Sequence, residues 1–130
     1  MDEFLHKGNK IAVVGVSSDP LKWGRKVYES LKSAGFEAYP INPKHTIIGQ
    51  DTCYPSLKSL PEKPDVVITV VPPGATGKIV RECKELGIGK VWMQPGSESE
   101  DAIEFCKRNN IKVICKACFV VDGLGKKESQ

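Results

Sequence analysis

Continuous apolar runs, without regularly alternating polar residues, constrain the fold of this chain more than any other feature of its sequence. IAVVGV (11–16) and PDVVITVVPP (64–73) are both rich in β-branched residues. A strand of this composition is buried on both faces, which is typical of a parallel sheet covered by helices. Three further strands are predicted over FEAYPIN (36–42), KVWMQP (90–95) and IKVICKACFVV (111–121), the last interrupted near Lys116 to Cys118.

Amphipathic stretches separate these runs and predict helices. LKWGRKVYESLKSAG (21–35) places three apolar residues on one stripe and ends at Gly35, a residue type common at helix C-termini. A second helix is predicted from about residue 76 to residue 86. A third is predicted within SESEDAIEFCKRNN (97–110), with Ser97 as its N-cap and acidic residues in its first turn.

The order of these elements is β-α-β-β-α-β-α-β, and LKSL (57–60) adds a short helix or turn between the second and third strands. Alternation of this kind predicts parallel strands joined by right-handed crossovers, with helices on both faces. We therefore predict an α/β protein with a Rossmann-like, three-layer, doubly wound parallel sheet of about five strands. The 130 residues suit one domain over 1–130, with an N-terminal arm (1–9) and a mobile tail (123–130).

Ligands in such sheets bind beyond the carboxyl ends of the strands, where the strand order reverses. After the first strand, Gly15 permits a tight turn, and Ser17 and Ser18 supply hydroxyl and N–H groups at the entrance of a helix. Lys22 and Arg25 add positive charge there. This turn predicts a site for a phosphate or pyrophosphate; the alternative is a plain strand-to-helix turn with surface bases.

The end of the second strand bears on which nucleotide would bind. NAD enzymes usually carry Asp or Glu about 20 residues after the glycine turn, where it accepts hydrogen bonds from the ribose. Here Asn42, Pro43 and Lys44 occupy that place. A cation suits a phosphorylated ribose, as in NADP or CoA, unless Lys44 is an ordinary surface lysine. After the third strand, Pro72 and Pro73 either form an apolar ledge for a flat base or only end the strand.

Four segments at these strand ends resemble one family, the small stand-alone CoA-binding proteins. The segments are VVGVSSDPLKWGRKV, YPINPKHTIIGQDTCYPSLKSLP, DVVITVVPP and VWMQPG, and the resemblance extends from about Lys10 to Val121. The domain of these proteins is similar to the N-terminal CoA-binding domain of the succinyl-CoA synthetase alpha subunit. The resemblance implies a Rossmann-like domain that binds coenzyme A or acyl-CoA.

The resemblance also implies a role for each strand end. The pyrophosphate would lie against Gly15, Val16, Ser17 and Ser18, supported by Lys22 and Arg25. The phosphorylated ribose would meet Asn42, Pro43 and Lys44. The adenine or ribose would be flanked by Val71, Pro72 and Pro73. The pantetheine arm would face Gln94, Pro95 and Gly96.

No catalytic residue is predicted. The synthetase carries a phosphorylated histidine in a separate second domain, whereas the histidines here are His6, in the N-terminal arm, and His45, in a loop. Neither belongs to a constellation with a carboxylate, so we favour a binding module over an enzyme and leave the question open.

The cysteines predict no metal site and no disulfide framework. Cys115 and Cys118 form a C-x-x-C, but no helix follows it as in thioredoxin-like sites, and no second ligand pair completes a zinc site. Structural cysteines at a strand end are the preferred interpretation. Cys118 matches a cysteine common in the resembled family, so one hypothesis is that it approaches the CoA thiol and forms a mixed disulfide.

The net charge and the hydropathy of the chain argue against nucleic-acid and membrane partners. A net charge of +3 is far from the dense basic stripe of a nucleic-acid-binding protein, and no apolar run is long enough to span a membrane. The N-terminus lacks the apolar region of a secretion signal, so we expect a cytoplasmic protein. The alternatives to a CoA-binding module are an NADP-linked oxidoreductase and a CoA-dependent enzyme. A further alternative is a regulatory subunit that docks on a protein partner or forms a homo-oligomer. Exposure of both Trp23 and Trp92 would support this docking role.

Overall fold

Apolar runs and amphipathic stretches form the alternating elements that the sequence predicts. The computed structural model describes residues 4–115. In chain order the elements are β1 (Lys10–Val14), α1 (Trp23–Ser33), β2 (Glu37–Ile41), a hairpin of β3 (Ile47–Ile48) and β4 (Asp51–Thr52), a 3-10 turn (Leu57–Ser59), β5 (Val66–Thr69), α2 (Pro73–Leu86), β6 (Lys90–Met93), α3 (Glu100–Arg108) and β7 (Lys112–Ile114).

Within residues 4–115, β2, β1, β5, β6 and β7 form a parallel sheet in that order. β1 is therefore flanked by the strand that follows it and by β5, so the direction of winding reverses between β1 and β5. Val14 pairs with both Ile41 and Thr69, which brings the carboxyl ends of the three strands to the same level. The Rossmann-like α/β class is confirmed, and the reversal marks the place where such sheets bind ligands.

Helices cover both faces of the sheet, as the composition of the strands predicts. Val13 belongs to a buried cluster with Val27 and Leu31 of α1 on one face, whereas Val14 belongs to a second cluster with Val80 of α2 and Cys106 of α3 on the other. Each fully buried aliphatic side chain contributes about 1.5–3 kcal/mol. These two apolar layers hold the strand ends in fixed positions.

Two helix starts differ from the prediction. α2 begins at Pro73 instead of near residue 76, and β5 ends at Thr69, because proline is pre-organised for the first helical position. The N-cap of α3 is Ser99, whose side chain accepts a hydrogen bond from the amide of Ala102. Ser97, the predicted N-cap, is instead buried.

The N-terminal segment packs onto the domain, and the two tryptophans differ in exposure. Phe4 and Leu5, in the predicted arm, are buried, and Phe4 contacts Trp92 edge-on with ring centroids 6.2 Å apart. Trp92 has no exposed surface, so it gives no support to a docking role, whereas Trp23 is 38% exposed. The predicted strand residues beyond Cys115, together with Cys118 and the tail at 123–130, lie outside the described residues.

Candidate functional site

A cleft of about 860 Å³ opens at the carboxyl ends of β1, β2 and β5, where the strand order reverses. We call it the central cleft. Its walls come from the three strand ends, one face of α2 and the segment before the 3-10 turn. Its lining residues are Val14, Gly15, Lys22, Ile41, Asn42, Pro43, Lys44, Pro55, Ser56, Leu57, Val70, Val71, Pro72, Ala75, Lys78, Ile79 and Glu82. Of the predicted site residues, the structure brings together here Gly15, Lys22, Asn42, Pro43, Lys44, Val71 and Pro72.

Gly15 exposes bare backbone in the wall of the cleft. Its φ is +106°, and a Cβ built on it would lie 2.2 Å from the carbonyl oxygen of Val70. Its amide donates a hydrogen bond to the carbonyl of Ile41 at 2.9 Å. No side chain fits at this position, so glycine is required where the loop after β1 packs against the backbone that follows β5.

Gly24 in the first turn of α1 was missed by the sequence reasoning. A Cβ there would lie 2.2 Å from the carbonyl oxygen of Gly15, so the helix rests directly on the end of β1. A signal was present, because glycine within a helix costs about 1 kcal/mol relative to alanine and is retained for a packing reason.

Asn42 fastens the strand ends to each other. Its side-chain amide donates to the carbonyl of Val16 at 2.9 Å, and its side-chain oxygen accepts from the amide of Lys44 at 2.9 Å. The side chain of Val16 is fully buried, so only its backbone can meet a ligand. Asn42 thereby fixes the turn that presents the exposed Lys44 to the cleft.

The structure does not bring Ser17, Ser18 or Arg25 to the wall of the central cleft. The Ser17 hydroxyl accepts a hydrogen bond from the amide of Asp19 at 3.0 Å. Arg25 donates from Nη1 to the carbonyl of Ser18 at 2.9 Å, and its Nε lies 3.5 Å from a carboxylate oxygen of Glu29. These contacts hold the loop after β1 in shape.

The predicted residues after β6 lie elsewhere. Gln94 is fully buried, whereas Pro95 and Gly96 line a second depression of about 360 Å³, which we call the side pocket. Pro73 is the first residue of α2 and is exposed. The side pocket is lined by Trp23, Val70, Val71, Pro72, Pro95, Gly96 and Ser97, so it shares Val70, Val71 and Pro72 with the central cleft.

A buried polar network lies behind the side pocket. The Ser97 hydroxyl contacts the Thr69 hydroxyl at 2.9 Å and lies within hydrogen-bond distance of the Thr69 and Gln94 carbonyls, at 3.1 and 2.8 Å. Thr76 of α2 donates to the carbonyl of Ser97 at 2.6 Å. This network joins the end of β5, the start of α2 and the turn after β6.

The central cleft carries positive charge. Lys22, Lys44 and Lys78 line it, and Glu82 is the only carboxylate among its lining residues in the described chain. α1 and α2, both within residues 4–115, have no acidic residue in their first turns, where a carboxylate would offset the positive end of the helix. This arrangement favours an anionic ligand.

Lys78 and Glu82 were missed because they come from a helix face and not from a strand end. Ala75, Lys78, Ile79 and Glu82 recur at helical spacing after Pro72. Counting every third or fourth residue from the end of the third strand would have predicted that these residues share one face of the helix. Pro55, Ser56 and Leu57 had no comparable signal.

The buried thiols are poor nucleophiles. Burial raises the pKa of Cys83 to about 12 and that of Cys106 to about 11, and it also raises the pKa of Cys53. Cys115 is half-buried, and Cys118 lies outside the described range.

Residues 4–115 lack two further kinds of feature. They contain no group of three or more His, Cys, Asp or Glu side chains placed to hold a metal ion. They also contain no helix with the length and hydropathy that crossing a membrane requires.

Comparison with known proteins gives one consistent result. A family model described as a CoA binding domain matches residues 9–123. The alpha subunit of ADP-forming acetate–CoA ligase II from Pyrococcus furiosus is 27% identical over 129 residues, covering 91% of this chain and 28% of that protein. The chain thus spans less than a third of the length of that relative.

Two solved structures share the fold. A conserved hypothetical protein from Pyrococcus furiosus superposes with a TM-score of 0.82 at 38% identity, covering 87% of this chain and 97% of that one. The dinucleotide-forming acetyl-coenzyme A synthetase 1 of Candidatus Korarchaeum cryptofilum superposes with a TM-score of 0.75 at 29% identity, covering 87% of this chain and 26% of that one.

Proposed function

The chain belongs to the CoA-binding domain family, and from this premise we propose that its central cleft binds coenzyme A. The observation that carries the proposal is the grouping of Lys22, Lys44 and Lys78 around the bare backbone of Gly15. Coenzyme A carries a pyrophosphate and a 3′-phosphate, and both need cations or N–H groups. The lining of the cleft offers the cations.

The residues of the cleft fit the nucleotide part of the ligand. The backbone of Gly15 and Val16, with Lys22, would hold the pyrophosphate at the start of α1. Lys44, presented by the turn that Asn42 fixes, would meet the 3′-phosphate. Val71 and Pro72 would flank the adenine or ribose. A volume of about 860 Å³ lies within the usual range of roughly 300–1,000 Å³ for small-molecule sites.

Arg25, Ser17 and Ser18 would then act indirectly. They hold the loop between β1 and α1, and the Arg25 guanidinium also lies against the β3–β4 hairpin, where a Cβ on Gly49 would be 3.1 Å from it. Their role in the proposal is to keep the amides of this loop in position for the pyrophosphate.

Calorimetric titration with a ligand panel tests the proposal. We expect coenzyme A to bind with micromolar affinity, or about 8 kcal/mol, and more tightly than 3′-dephospho-CoA, NAD or ATP. NADP is the decisive competitor, because Lys44 suits a 2′-phosphate as well. Tighter binding of NADP than of coenzyme A would favour the oxidoreductase alternative instead.

A subunit role is the second candidate. The relative from Pyrococcus furiosus is a ligase alpha subunit, and this chain aligns with only 28% of it. In that role the chain would deliver its bound coenzyme A, or an acyl-CoA, to catalytic groups of a protein partner. Co-purification of a second chain with the natively expressed protein would support it, and a sole monomeric or homo-oligomeric species would count against it.

A further inference from the structure

The geometry points to an acyl-group subsite: we propose that the side pocket holds an apolar acyl group on the CoA thiol, so the protein prefers short aliphatic acyl-CoAs to free coenzyme A. The inference rests on the proposed CoA site in the central cleft. It adds the chemical class of the group that the ligand carries.

The lining of the side pocket is apolar. Of the residues that the structure describes, those that line it include no charged side chain. The polar lining residue is Ser97, which is buried and whose hydroxyl already contacts Thr69 and the Gln94 carbonyl. Trp23 remains 38% exposed beside it and offers a large apolar ring. A charged or strongly polar group would lose hydration there without a replacement partner.

The side pocket continues from the central cleft. Val70, Val71 and Pro72 line both, so a ligand that leaves the cleft across this ridge enters the pocket directly. The two cavities differ in charge, since Lys22, Lys44 and Lys78 all line the central cleft and not the side pocket. The phosphates of an acyl-CoA match the charged side, and the thioester end with its hydrocarbon tail matches the other.

The walls of the side pocket are fixed before a ligand arrives. Pro72 and Pro95 have restricted backbones, and the contacts among Thr69, Thr76 and Ser97 join the two walls from behind. A pre-formed apolar surface gains affinity without ordering flexible groups. Each methylene that it fully buries should tighten binding by roughly fourfold.

Calorimetry on the full chain tests the inference with coenzyme A and its acetyl, butyryl, hexanoyl and succinyl thioesters. We expect affinity to rise from coenzyme A through acetyl to butyryl, with butyryl-CoA at least about tenfold tighter than coenzyme A. Succinyl-CoA should show no gain, because its carboxylate would be desolvated. Equal binding of coenzyme A and butyryl-CoA would overturn the subsite while leaving the CoA site intact. Failure of coenzyme A itself to bind would overturn the proposed function and, with it, the subsite.

Trp23→Ala separates the acyl group from the rest of the ligand. We expect it to abolish the preference for butyryl-CoA and to leave the affinity for coenzyme A unchanged within about twofold. Leu21→Ala is the matched control, since Leu21 is 78% exposed, lies two residues earlier and does not line the pocket. Equal losses for both ligands in Trp23→Ala would overturn the inference and assign the pocket to the pantetheine arm.

A measurement on the unaltered protein covers the case in which Trp23→Ala fails to fold. Trp92 is fully buried, so ligand-dependent changes in tryptophan emission report on Trp23. We expect butyryl-CoA to shift the emission to shorter wavelength more than coenzyme A does. Identical spectra with the two ligands would contradict the proposal.

Discussion

Gly24 lies so close to Gly15 that a Cβ on the helix residue would stand 2.2 Å from the carbonyl oxygen of the strand residue. α1 therefore begins against the backbone of the loop it follows. The dinucleotide motif G-x-G-x-x-G places a turn glycine and a helix-packing glycine within six residues. Here the same two tasks fall to glycines nine positions apart, with Ser17 and Ser18 between them.

This contact predicts an unusual response to alanine in a helix. We expect Gly24→Ala to destabilise the protein by about 1–3 kcal/mol, because the methyl group has no room beside the Gly15 carbonyl. Gly77→Ala in α2 is the control, since nothing lies within 4 Å of its Cβ position, and it should be neutral or stabilising by up to about 1 kcal/mol. Urea unfolding measures both, and similar effects of the two changes would contradict the close packing.

Lys44 is expected to recognise the 3′-phosphate of coenzyme A. Lys44→Ala should weaken the binding of coenzyme A by roughly fivefold, about 1 kcal/mol. It should also remove most of the difference in affinity between coenzyme A and 3′-dephospho-CoA. Lys107→Ala, an exposed lysine on α3, removes the same charge away from the cleft and should keep that difference. A difference between the ligands that persists in Lys44→Ala would remove this lysine from the site.

Asp51 links the hairpin to α1 and should make stability sensitive to acid. Its carboxylate accepts a hydrogen bond from the Tyr28 hydroxyl at 2.7 Å and pairs with Lys32. The Lys32 contact, followed by the Tyr28 hydrogen bond, lowers the pKa of Asp51 below its ordinary value of about 3.9. A lowered folded-state pKa means that this contribution is fully present above about pH 5 and is lost as the pH falls below that ordinary value.

Asp51→Asn should therefore reduce the loss of stability between pH 5 and pH 3. Urea midpoints over this range measure it, with Glu104→Gln on the exposed side of α3 as the control. If the Asp51 variant and the unaltered protein lose stability in parallel, the carboxylate is not coupled to folding in this way.

The buried cysteines should resist alkylation in the folded protein. With the pKa of Cys83 raised to about 12 and that of Cys106 to about 11, thiolate is scarce at pH 8, and burial blocks reagent access. We expect iodoacetamide to modify both only after denaturation, as read by peptide mass spectrometry. Rapid modification of Cys83 or Cys106 under native conditions would show that α2 and α3 separate readily.

Sequence reasoning correctly predicted the elements and residues whose position in the fold follows from a local sequence pattern. The runs at 11–16 and 64–73 predicted buried strands because both faces of β1 and β5 are covered. Lys44 was identified because it follows the end of the second strand, and Lys22 because it lies at the start of the predicted first helix. At these positions the local sequence was enough to predict where the residue lies in the sheet.

Other residues owe their roles to contacts that no local pattern contains. Pro73 was interpreted as the end of a strand although it begins α2, since proline suits both places. Ser97 resembled an N-cap, but its hydroxyl contacts Thr69, 28 residues away in the chain. The two-residue strands β3 and β4 are too short to show a period. Lys78 reaches the cleft from a helix, where its position depends on how α2 packs.

The ridge of Val70, Val71 and Pro72 limits how the specificity of this protein can diverge. Because these residues belong to both cavities, a substitution there alters two recognition surfaces at once. Lys78 lines only the central cleft and Trp23 only the side pocket, so a substitution at either alters one recognition surface. New ligand preferences should therefore arise first at the outer walls, while the shared ridge changes only when both surfaces are remade together.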